Sequence, residues 1–402
     1  MLPDIRNQTR DELAANFAEW TQPAYRVEQL LSWLYPRRVS AWGQLSNLPK
    51  TLRELLAAKY SLGSLQLIRK QGSRDATQKF LWRLHDGALV ESVLIPANLA
   101  LDGDRSDRHT LCVSTQVGCA YGCRFCASGL EGWKRNLEPW EIIGQVLGIE
   151  RWHSDSTAAE AAAAAPTDPG IDGGAPKTGS PTPETSERLI NNLVIMGMGE
   201  PMANYTHLMA ALRTLNASWG GQIGARKITI STSGVVPRIR DLADDPLQFR
   251  LAISLHGATD AVRGQIMPIN KKYPIAELTS ACEQYVAKKG QMITLEYILI
   301  AGVNEALEQV PHLSRLARRL HAKVNLIPYN QVEGLPWERP AEANCERFAQ
   351  ELRSCGITTT LRIEKGHDID AACGQLRLRT EHELAADETK TKLPGVRLPS
   401  NS

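Results

Sequence analysis

The stretch Gly118-Cys119-Ala120-Tyr121-Gly122-Cys123-Arg124-Phe125-Cys126 carries three cysteines in the pattern C-x3-C-x2-C. Three thiolates are one fewer than a structural zinc site or a fully protein-bound iron-sulfur cluster takes. A metal centre with an open position is typical of a catalytic site, because a substrate can occupy that position. We therefore predict an iron-sulfur cube held by these three cysteines, with one iron free for a non-protein ligand.

Two other interpretations of the cysteines remain open, a zinc knuckle and one half of a disulfide pair. Zinc requires a fourth Cys or His nearby, and none lies between Cys126 and His153. The eight cysteines in the chain are too sparse and too unevenly spaced for a disulfide scaffold. Cys282, Cys345 and Cys355 are interpreted as small buried apolar residues.

The composition indicates an intracellular enzyme. The 402 residues, 43% of them hydrophobic and 22% charged, are enough for one large catalytic domain with smaller attachments. The first residues contain no apolar signal core, and no window approaches the roughly 20 apolar residues of a membrane span. We therefore expect a soluble cytoplasmic protein with no membrane partner. The net charge of +2 says little about partners, because a nucleic-acid enzyme can confine positive charge to one face.

The chain is predicted to divide into four regions. Residues 1–62 have apolar residues at helical spacing, which indicates a small helical accessory domain. Residues 63–107 alternate as a β-hairpin and then form an apolar strand and linker. Residues 108–380 repeat strand and helix, interrupted at 154–187 by a segment rich in Ala, Pro, Gly, Thr and Ser. That segment cannot bury enough apolar surface to offset its ordering entropy, so it is predicted to be a flexible insertion. Residues 381–402 are predicted to be a flexible tail.

The hairpin is rich in basic residues. Its turn is predicted at Gly72-Ser73-Arg74-Asp75, and Asp75 is the one acid in a stretch whose cations are Arg69, Lys70, Arg74, Lys79 and Arg83. Two interpretations stand side by side: contact with a nucleic-acid backbone, or a solvated polar face of a small sheet.

The alternation of strand and helix after residue 108 predicts an α/β fold with a parallel sheet that forms a full or partial barrel. Active sites in such folds gather at the carboxyl ends of the strands. The predicted strands lie near 111–115, 193–196, 227–231, 251–254, 293–300, 324–327 and 359–363.

Polar groups follow several of these strands. Gly197-Met198-Gly199-Glu200-Pro201 places glycines and a carboxylate after one strand, where a carboxylate can pair with an ammonium group. Ser231, Ser254, His256 and Asn330 stand at the corresponding ends of later strands. Any one of them is ordinary, and a tight turn explains the glycines nearly as well. Together at one rim they indicate a site for a polar ligand.

The motifs along the chain resemble those of the RlmN/Cfr family of radical S-adenosylmethionine (SAM) RNA methyltransferases, in the family's order and over nearly the whole chain. The matching stretches are Pro23 to Gln29 with Trp33, Glu91 to Pro96, Cys112 to Cys119, Arg135 to Leu137, Gly197 to Pro201, Ser254 to His256, Asn325 to Asn330 and Ala371 to Leu376.

The resemblance implies a partial (β/α) barrel of the radical SAM type, with a small N-terminal helical domain that binds RNA and an accessory β-hairpin. It implies one 4Fe-4S cluster on Cys119, Cys123 and Cys126 whose fourth iron takes the amino and carboxylate groups of SAM. The positions that match the family's SAM contacts are Gly199, Glu200, Ser231, Ser254, Leu255, His256 and Asn330.

The resemblance also implies a chemistry in two stages. Cys373 first takes a methyl group from one SAM, and a second SAM yields the radical that activates this methyl group for addition to an adenine ring. Glu91 matches the position of the proton acceptor, and Cys112 would release the product by forming a transient disulfide with Cys373. The substrates implied are 23S ribosomal RNA and certain transfer RNAs, with an electron donor such as flavodoxin.

The alternatives within this picture are a Cfr-type enzyme that methylates carbon 8 of the ribosomal adenosine, and a zinc-dependent RNA-binding protein without catalysis. The N-terminal helical region and the overall match favour the RlmN branch, which methylates carbon 2. The chain departs from the family at Arg362 to His367, where Glu364 replaces a basic residue. Nothing in the sequence demands a dimer, and we expect a monomer.

Overall fold

A ten-stranded mixed sheet forms the centre of the protein. The structure is a computed structural model, and it describes residues 2–72, 77–97, 108–164, 188–362 and 374–391. The order of the strands in the sheet is β1-β2-β3-β4-β7-β8-β9-β10-β11-β12, and β5 pairs with β6 in a separate ribbon. The strands are β1 (Gln66–Gly72), β2 (Gln78–Arg83), β3 (Leu89–Pro96), β4 (His109–Cys112), β5 (Gln116–Gly118), β6 (Trp133–Asn136), β7 (Asn192–Ile195), β8 (Ile228–Thr232), β9 (Arg250–Ser254), β10 (Thr294–Leu299), β11 (Lys323–Pro328) and β12 (Thr359–Leu361).

Within the ten-stranded sheet, the strands β4 and β7 to β12 pair in parallel, and helices cross between most of them. The helices of the protein are α1 (Arg10–Glu19), α2 (Tyr25–Leu34), α3 (Lys50–Lys59), α4 (Pro139–Ala164), α5 (Tyr205–Asn216), α6 (Val236–Asp244), α7 (Asp260–Ile266), α8 (Ile275–Lys289), α9 (Gln309–Arg319), α10 (Glu342–Ser354) and α11 (Gln375–Thr391). In the described residues β4 and β12 do not pair, so the parallel strands form an open, partial barrel. The predicted α/β fold class is confirmed.

Apolar side chains on both faces of the parallel strands explain why each strand is buried. On β10, Tyr297 packs outward against Phe348 of α10, with 5.7 Å between the ring centroids. Ile298 points to the other face and lines an interior cavity. Because successive strand residues face opposite sides, the strand is held between a helix layer and the barrel interior.

The N-terminal helices pack around buried leucines and a buried ion pair. Helix α1 starts with a capping box between Thr9 and Glu12. Arg6 and Asp4 form an ion pair at 2.8 Å with both side chains about 1% exposed. The Arg6 guanidinium also lies over the Trp140 ring of α4 at 5.3 Å. The N-terminal helices are therefore attached to the first helix of the barrel.

Strands β1, β2 and β3 are antiparallel, and β3 joins them to the barrel through β4. Most of the hairpin's cations interact within the protein. Arg69 pairs with Glu383, Lys70 lies 4.4 Å from the Trp152 ring centroid, and Lys79 pairs with Glu91 in the interior. Arg74 lies outside the described residues. These contacts weaken the interpretation of the hairpin as a surface for nucleic acid.

Two helices extend into segments that the sequence predicted to be flexible. Helix α4 continues through Ala164, so residues 154–164 of the predicted insertion are helical, and the rest of it lies outside the described residues. Helix α11 continues through Thr391, so the predicted tail begins as a helix. None of the described helices combines the length and the apolar character that crossing a membrane requires.

Candidate functional site

A cavity of about 300 Å³ opens at the carboxyl ends of the parallel strands. The structure brings together there most of the residues that the sequence singled out. They are Cys119, Cys123, Cys126, Gly199, Glu200, Ser231, Ser254, His256 and Asn330. Leu255 is buried beside them and contributes its backbone, whose carbonyl accepts a hydrogen bond from Arg263 Nε at 3.1 Å.

The cysteine loop leaves the β5-β6 ribbon through a tight turn. Gly118 has φ of +76°, and a Cβ at this position would lie 1.9 Å from the carbonyl oxygen of Gly132. Only glycine fits such a position. Farther along, the Phe125 ring meets the His256 ring edge to face, with centroids 4.9 Å apart. This contact fixes the last part of the loop against the strand end at β9.

The thiols of the loop influence each other electrostatically. Burial raises the pKa of the Cys119 thiol to about 11, and the neighbouring Cys126 adds to this shift. Burial also raises the pKa of Cys123, and the charges of Cys126 and Cys119 act in the same direction. A cationic centre bound by the three cysteines would oppose these shifts and favour the thiolate form that a metal ligand requires. The donor set therefore fits an iron-sulfur cluster.

The same three cysteines do not surround a single ion. In the parts of the chain that the structure describes, no three His, Cys, Asp or Glu side chains converge closely enough to hold one metal ion.

Glu200 is held rigidly at the end of β7. Its carboxylate accepts hydrogen bonds from Thr232 Oγ1 and from the Ser233 N–H, both at 2.7 Å, and from the Met202 N–H at 3.0 Å. Burial raises the pKa of this carboxyl group, and the hydrogen bonds from Ser233 and Thr232 oppose that shift. Gly199 precedes it with φ of +98°. The network fixes the carboxylate at the cavity wall, where it can meet a positively charged ligand group.

His256 is kept neutral and is fixed in one orientation. Burial lowers its pKa to about 3, and the charge of Arg263 lowers it further. Its Nδ1 accepts a hydrogen bond from the Ile298 N–H at 3.0 Å, so the remaining proton is assigned to Nε2. The backbone at His256 has φ of +53°, and Asn304 Nδ2 donates to its carbonyl oxygen at 2.8 Å. The ring therefore offers the cavity an N–H donor or a flat surface.

Two buried charged residues of the site were missed by the sequence analysis. Glu296 of β10 lines the cavity, and Arg263 of α7 lies behind it. Arg263 donates to the carbonyl oxygens of Leu255 and Ser233 and to Asn270 Oδ1, and it thereby connects two strand-end turns. Glu296 lies inside a strand, two residues before Ile298. Strand residues two apart share a face, so a charged residue among apolar ones at this spacing could have indicated a side chain that faces the cavity.

Glu91 and Cys112 are not among the residues that line this cavity. The strand register nevertheless places Cys112 on the same face of the sheet as Val194 of β7 and, through it, Ser231 of β8. Cys112 pairs with Val93 across β3 and β4. Because cross-strand partners and alternate residues share a face, Cys112, Val93 and Glu91 point to the same side of the sheet. Burial of Cys112 is nearly complete, at 6% exposure.

The Glu91 carboxylate binds the start of helix α11. It accepts hydrogen bonds from the Gly374 N–H at 3.0 Å and from the Arg377 N–H at 2.7 Å, and Lys79 Nζ lies 3.2 Å away. A carboxylate at a helix N-terminus is favoured by the free N–H groups there. Cys373 itself lies outside the described residues. Its neighbour Gly374 is thus bound by the carboxylate that the sequence predicted to be catalytic.

Comparison with known proteins gives consistent results. Residues 3–62 match the family described as ribosomal RNA large subunit methyltransferase N-terminal domain. A probable dual-specificity RNA methyltransferase RlmN of Akkermansia muciniphila is 49% identical over 389 residues, which cover 97% of this chain and 99% of the relative. The dual-specificity RNA methyltransferase RlmN of Anaeromyxobacter dehalogenans is 42% identical, with 93% and 91% covered. The crystal structure of a radical SAM methyltransferase from Sphaerobacter thermophilus, 39% identical, superposes with a TM-score of 0.79 over 93% of this chain and 98% of that one.

Proposed function

Because this chain belongs to the RlmN family of radical SAM RNA methyltransferases, we propose that it methylates carbon 2 of an adenosine in 23S ribosomal RNA and in certain transfer RNAs. The observation that carries the proposal is the shared cavity of the three cysteines with Glu200 and His256. The three cysteines fit a cluster, and Glu200 places a fixed carboxylate on the wall of the same cavity. Together they match a site in which the cluster and a carboxylate both face one SAM molecule.

The cofactor site is assigned to the cysteine loop and the strand ends around it. Cys119, Cys123 and Cys126 would hold a 4Fe-4S cluster, which when bound supplies the electron that cleaves SAM and yields an adenosyl radical. Glu200 would pair with the ammonium group of SAM, because its carboxylate is fixed and buried. Gly199, Ser231, Ser254, Leu255, His256 and Asn330 complete the proposed SAM contacts.

The need for an additional cysteine follows from the target atom. Carbon 2 of adenine is an electron-poor amidine carbon, so it does not attack a methyl cation equivalent. We assign to Cys373 the role of accepting a methyl group from a first SAM, so that each turnover uses two SAM molecules. Glu91 would accept the ring proton, since a carboxylate can do so within reach of the base. The Cys112 thiolate would then attack the Cys373 sulfur, so that the disulfide forms as the bond between this sulfur and the RNA-bound carbon breaks, and that carbon takes up a proton to become the methyl group.

The position of Glu91 supports this assignment. Its carboxylate contacts the backbone of Gly374, the residue after Cys373, and Cys112 shares its face of the sheet. The same carboxylate can therefore act near the methyl-bearing segment. A transient bond between Cys112 and Cys373 requires only that the segment before Gly374 lie over this face.

The remaining parts of the proposal follow from the family. We propose that the protein acts in the cytoplasm as a monomer, that residues 3–62 contribute to RNA binding, and that an electron donor such as flavodoxin reduces the cluster.

The test is nucleoside mass spectrometry of unmodified ribosomal and transfer RNA after anaerobic incubation with the reconstituted protein, SAM and a reductant. We expect 2-methyladenosine in both RNAs, its loss with Cys373→Ala, and its retention with Cys355→Ala. Cys355 provides a matched control because it caps α10, away from the cavity. Formation of 8-methyladenosine would assign carbon 8 instead. Failure to modify any adenosine with an intact cluster would contradict the proposed function.

A further inference from the structure

A row of polar side chains crosses four neighbouring strands at the inner end of the cavity. Ser231 Oγ on β8 lies 3.4 Å from Ser254 Oγ on β9. Ser254 is the register partner of Glu296 on β10, and Glu296 is the register partner of Asn325 on β11. Residues in register on neighbouring parallel strands point to the same face. Two hydroxyls, a carboxylate and an amide thus form one continuous polar strip inside the barrel.

Glu296 is the only residue of this strip that carries a charge. Its side chain is nearly buried, with the residue 7% exposed, yet it lines the cavity. Its Oε2 accepts a hydrogen bond from Asn325 Nδ2 at 2.6 Å. Within the described parts of the chain, no donor reaches Oε1. Burial raises the pKa of this carboxyl group, and the hydrogen bond from Asn325 and then the charges of Arg362 and Lys323 oppose that shift.

Glu296 is largely withdrawn from solvent and lines the cavity, so the oxygen that has no donor among the described residues is expected to accept one from the group that occupies the cavity. The chemistry of the strip narrows what that group is. Carboxylates in nucleotide sites accept hydrogen bonds from ribose hydroxyls, and adjacent serine hydroxyls can both donate and accept. An ammonium group has a better-placed partner in Glu200, which stands in the turn that follows β7, the strand next to β8 in the sheet.

We propose that Glu296 accepts hydrogen bonds from ribose hydroxyl groups of the nucleoside bound in this cavity, and that this nucleoside is SAM. The inference rests on the proposed function, because it takes SAM as the ligand beside the cysteines. The alternative source of ribose hydroxyls is the target adenosine of the RNA. The inner position of Glu296 favours SAM, since a small molecule reaches the buried end of the cavity more easily than a nucleotide within an RNA chain.

The first test is SAM binding without RNA, measured by anaerobic equilibrium dialysis on the reconstituted protein. Glu296→Gln keeps the size of the side chain and leaves one oxygen for Asn325, but it replaces the free acceptor with an N–H₂ group. A hydrogen bond to a charged group is lost, so we expect SAM to bind about 10- to 100-fold more weakly. The matched control is Glu277→Gln on the exposed side of α8, which should bind SAM as the unaltered protein does.

The second test uses a SAM analogue that lacks both ribose hydroxyls. The unaltered protein should bind this analogue about as weakly as Glu296→Gln binds SAM, and Glu296→Gln should lose little further affinity for it. A variant whose cavity had merely become distorted would instead lose affinity for both ligands to a similar extent. This comparison separates a direct contact from a general structural defect, even where the variant is less stable.

The outcomes distinguish the inference from the function on which it rests. If the unaltered protein binds SAM and Glu296→Gln binds it equally well, the contact with SAM is wrong. An RNA substrate with 2′-deoxyadenosine at the target position then tests the other source. If this substrate reacts more slowly than the adenosine substrate with the unaltered protein but not with Glu296→Gln, the contact is assigned to the RNA. If the unaltered protein with an intact cluster binds no SAM, the proposed function itself is wrong.

Discussion

Replacing Glu91 by Gln is expected to loosen the docking of helix α11. The carboxylate accepts two backbone hydrogen bonds at once, one on each oxygen, from Gly374 and from Arg377. The amide of Gln has a single acceptor oxygen, and its N–H₂ group would face the second N–H donor. One hydrogen bond to a charged acceptor is therefore lost, and it is worth about 1.5 to 3 kcal/mol. The Lys79 ammonium, buried 3.2 Å from Glu91, loses a neighbouring charge as well.

The loss can be measured locally by hydrogen-deuterium exchange with mass spectrometry. A free-energy change of about 1.4 kcal/mol corresponds to a tenfold change in an equilibrium constant. The amides at the start of α11 should therefore exchange about 10- to 100-fold faster in Glu91→Gln. The parallel strands of the barrel should keep their exchange rates, because they do not contact this carboxylate.

Ser92→Ala is the matched control for this measurement. Ser92 is the next residue of β3 and is equally buried, but it points to the opposite face and hydrogen-bonds Trp82 Nε1 and Gln145 Oε1. It should leave the exchange of α11 unchanged. If Glu91→Gln also leaves α11 fully protected, the carboxylate does not hold the helix, and the reasoning about its two hydrogen bonds is refuted.

Three other predictions concern the cavity. As the pH falls from about 6.5 to 3, the melting temperature should decrease less in His256→Asn than in the unaltered protein. The buried imidazole has its pKa lowered from 6.5 to about 3, so it favours the folded state above pH 6.5 and loses this contribution as acid protonates the unfolded chain; melting curves across pH measure it. Gly118→Ala should cost on the order of 3 kcal/mol and lower the iron content, because its Cβ would lie 1.9 Å from Gly132 O, whereas Gly43→Ala meets no atom within 4 Å and should retain iron. Arg263→Lys should lower the melting temperature and weaken SAM binding, since an ammonium group cannot span three acceptors as the guanidinium does.

The parallel part of the fold was predictable because its strands are short apolar runs followed by Gly, Asn or Pro. Each predicted strand after residue 108 coincides with an observed one to within a few residues. The cysteine spacing and the polar groups at the strand ends were also readable, because a parallel sheet brings those ends to one edge. These features depend on local pattern and on topology alone.

Other features depend on contacts that pattern does not contain. Residues 154–164 lack large apolar side chains, which suggested a loop, but they are rich in Ala and continue a packed helix without a new nucleation step. The hairpin's cations looked available for RNA, yet the partners of Arg69 and Lys79 come from Glu383 and Glu91. Glu296 was overlooked because a lone acid within a strand gives no sign of which ligand faces it.

The start of α11 rests on several supports, and this limits what the loss of any one of them can do. The first is Glu91 from the accessory strands. The second is the turn that follows Cys126, because a Cβ at Gly374 would lie 3.0 Å from the Ser128 backbone nitrogen. Leu376 also packs with Leu81 and Leu89 on the same face. Removing one hydrogen bond therefore shifts the opening equilibrium of the helix without detaching it. Gly374, the residue after Cys373, is therefore held between the predicted proton acceptor and the cysteine loop.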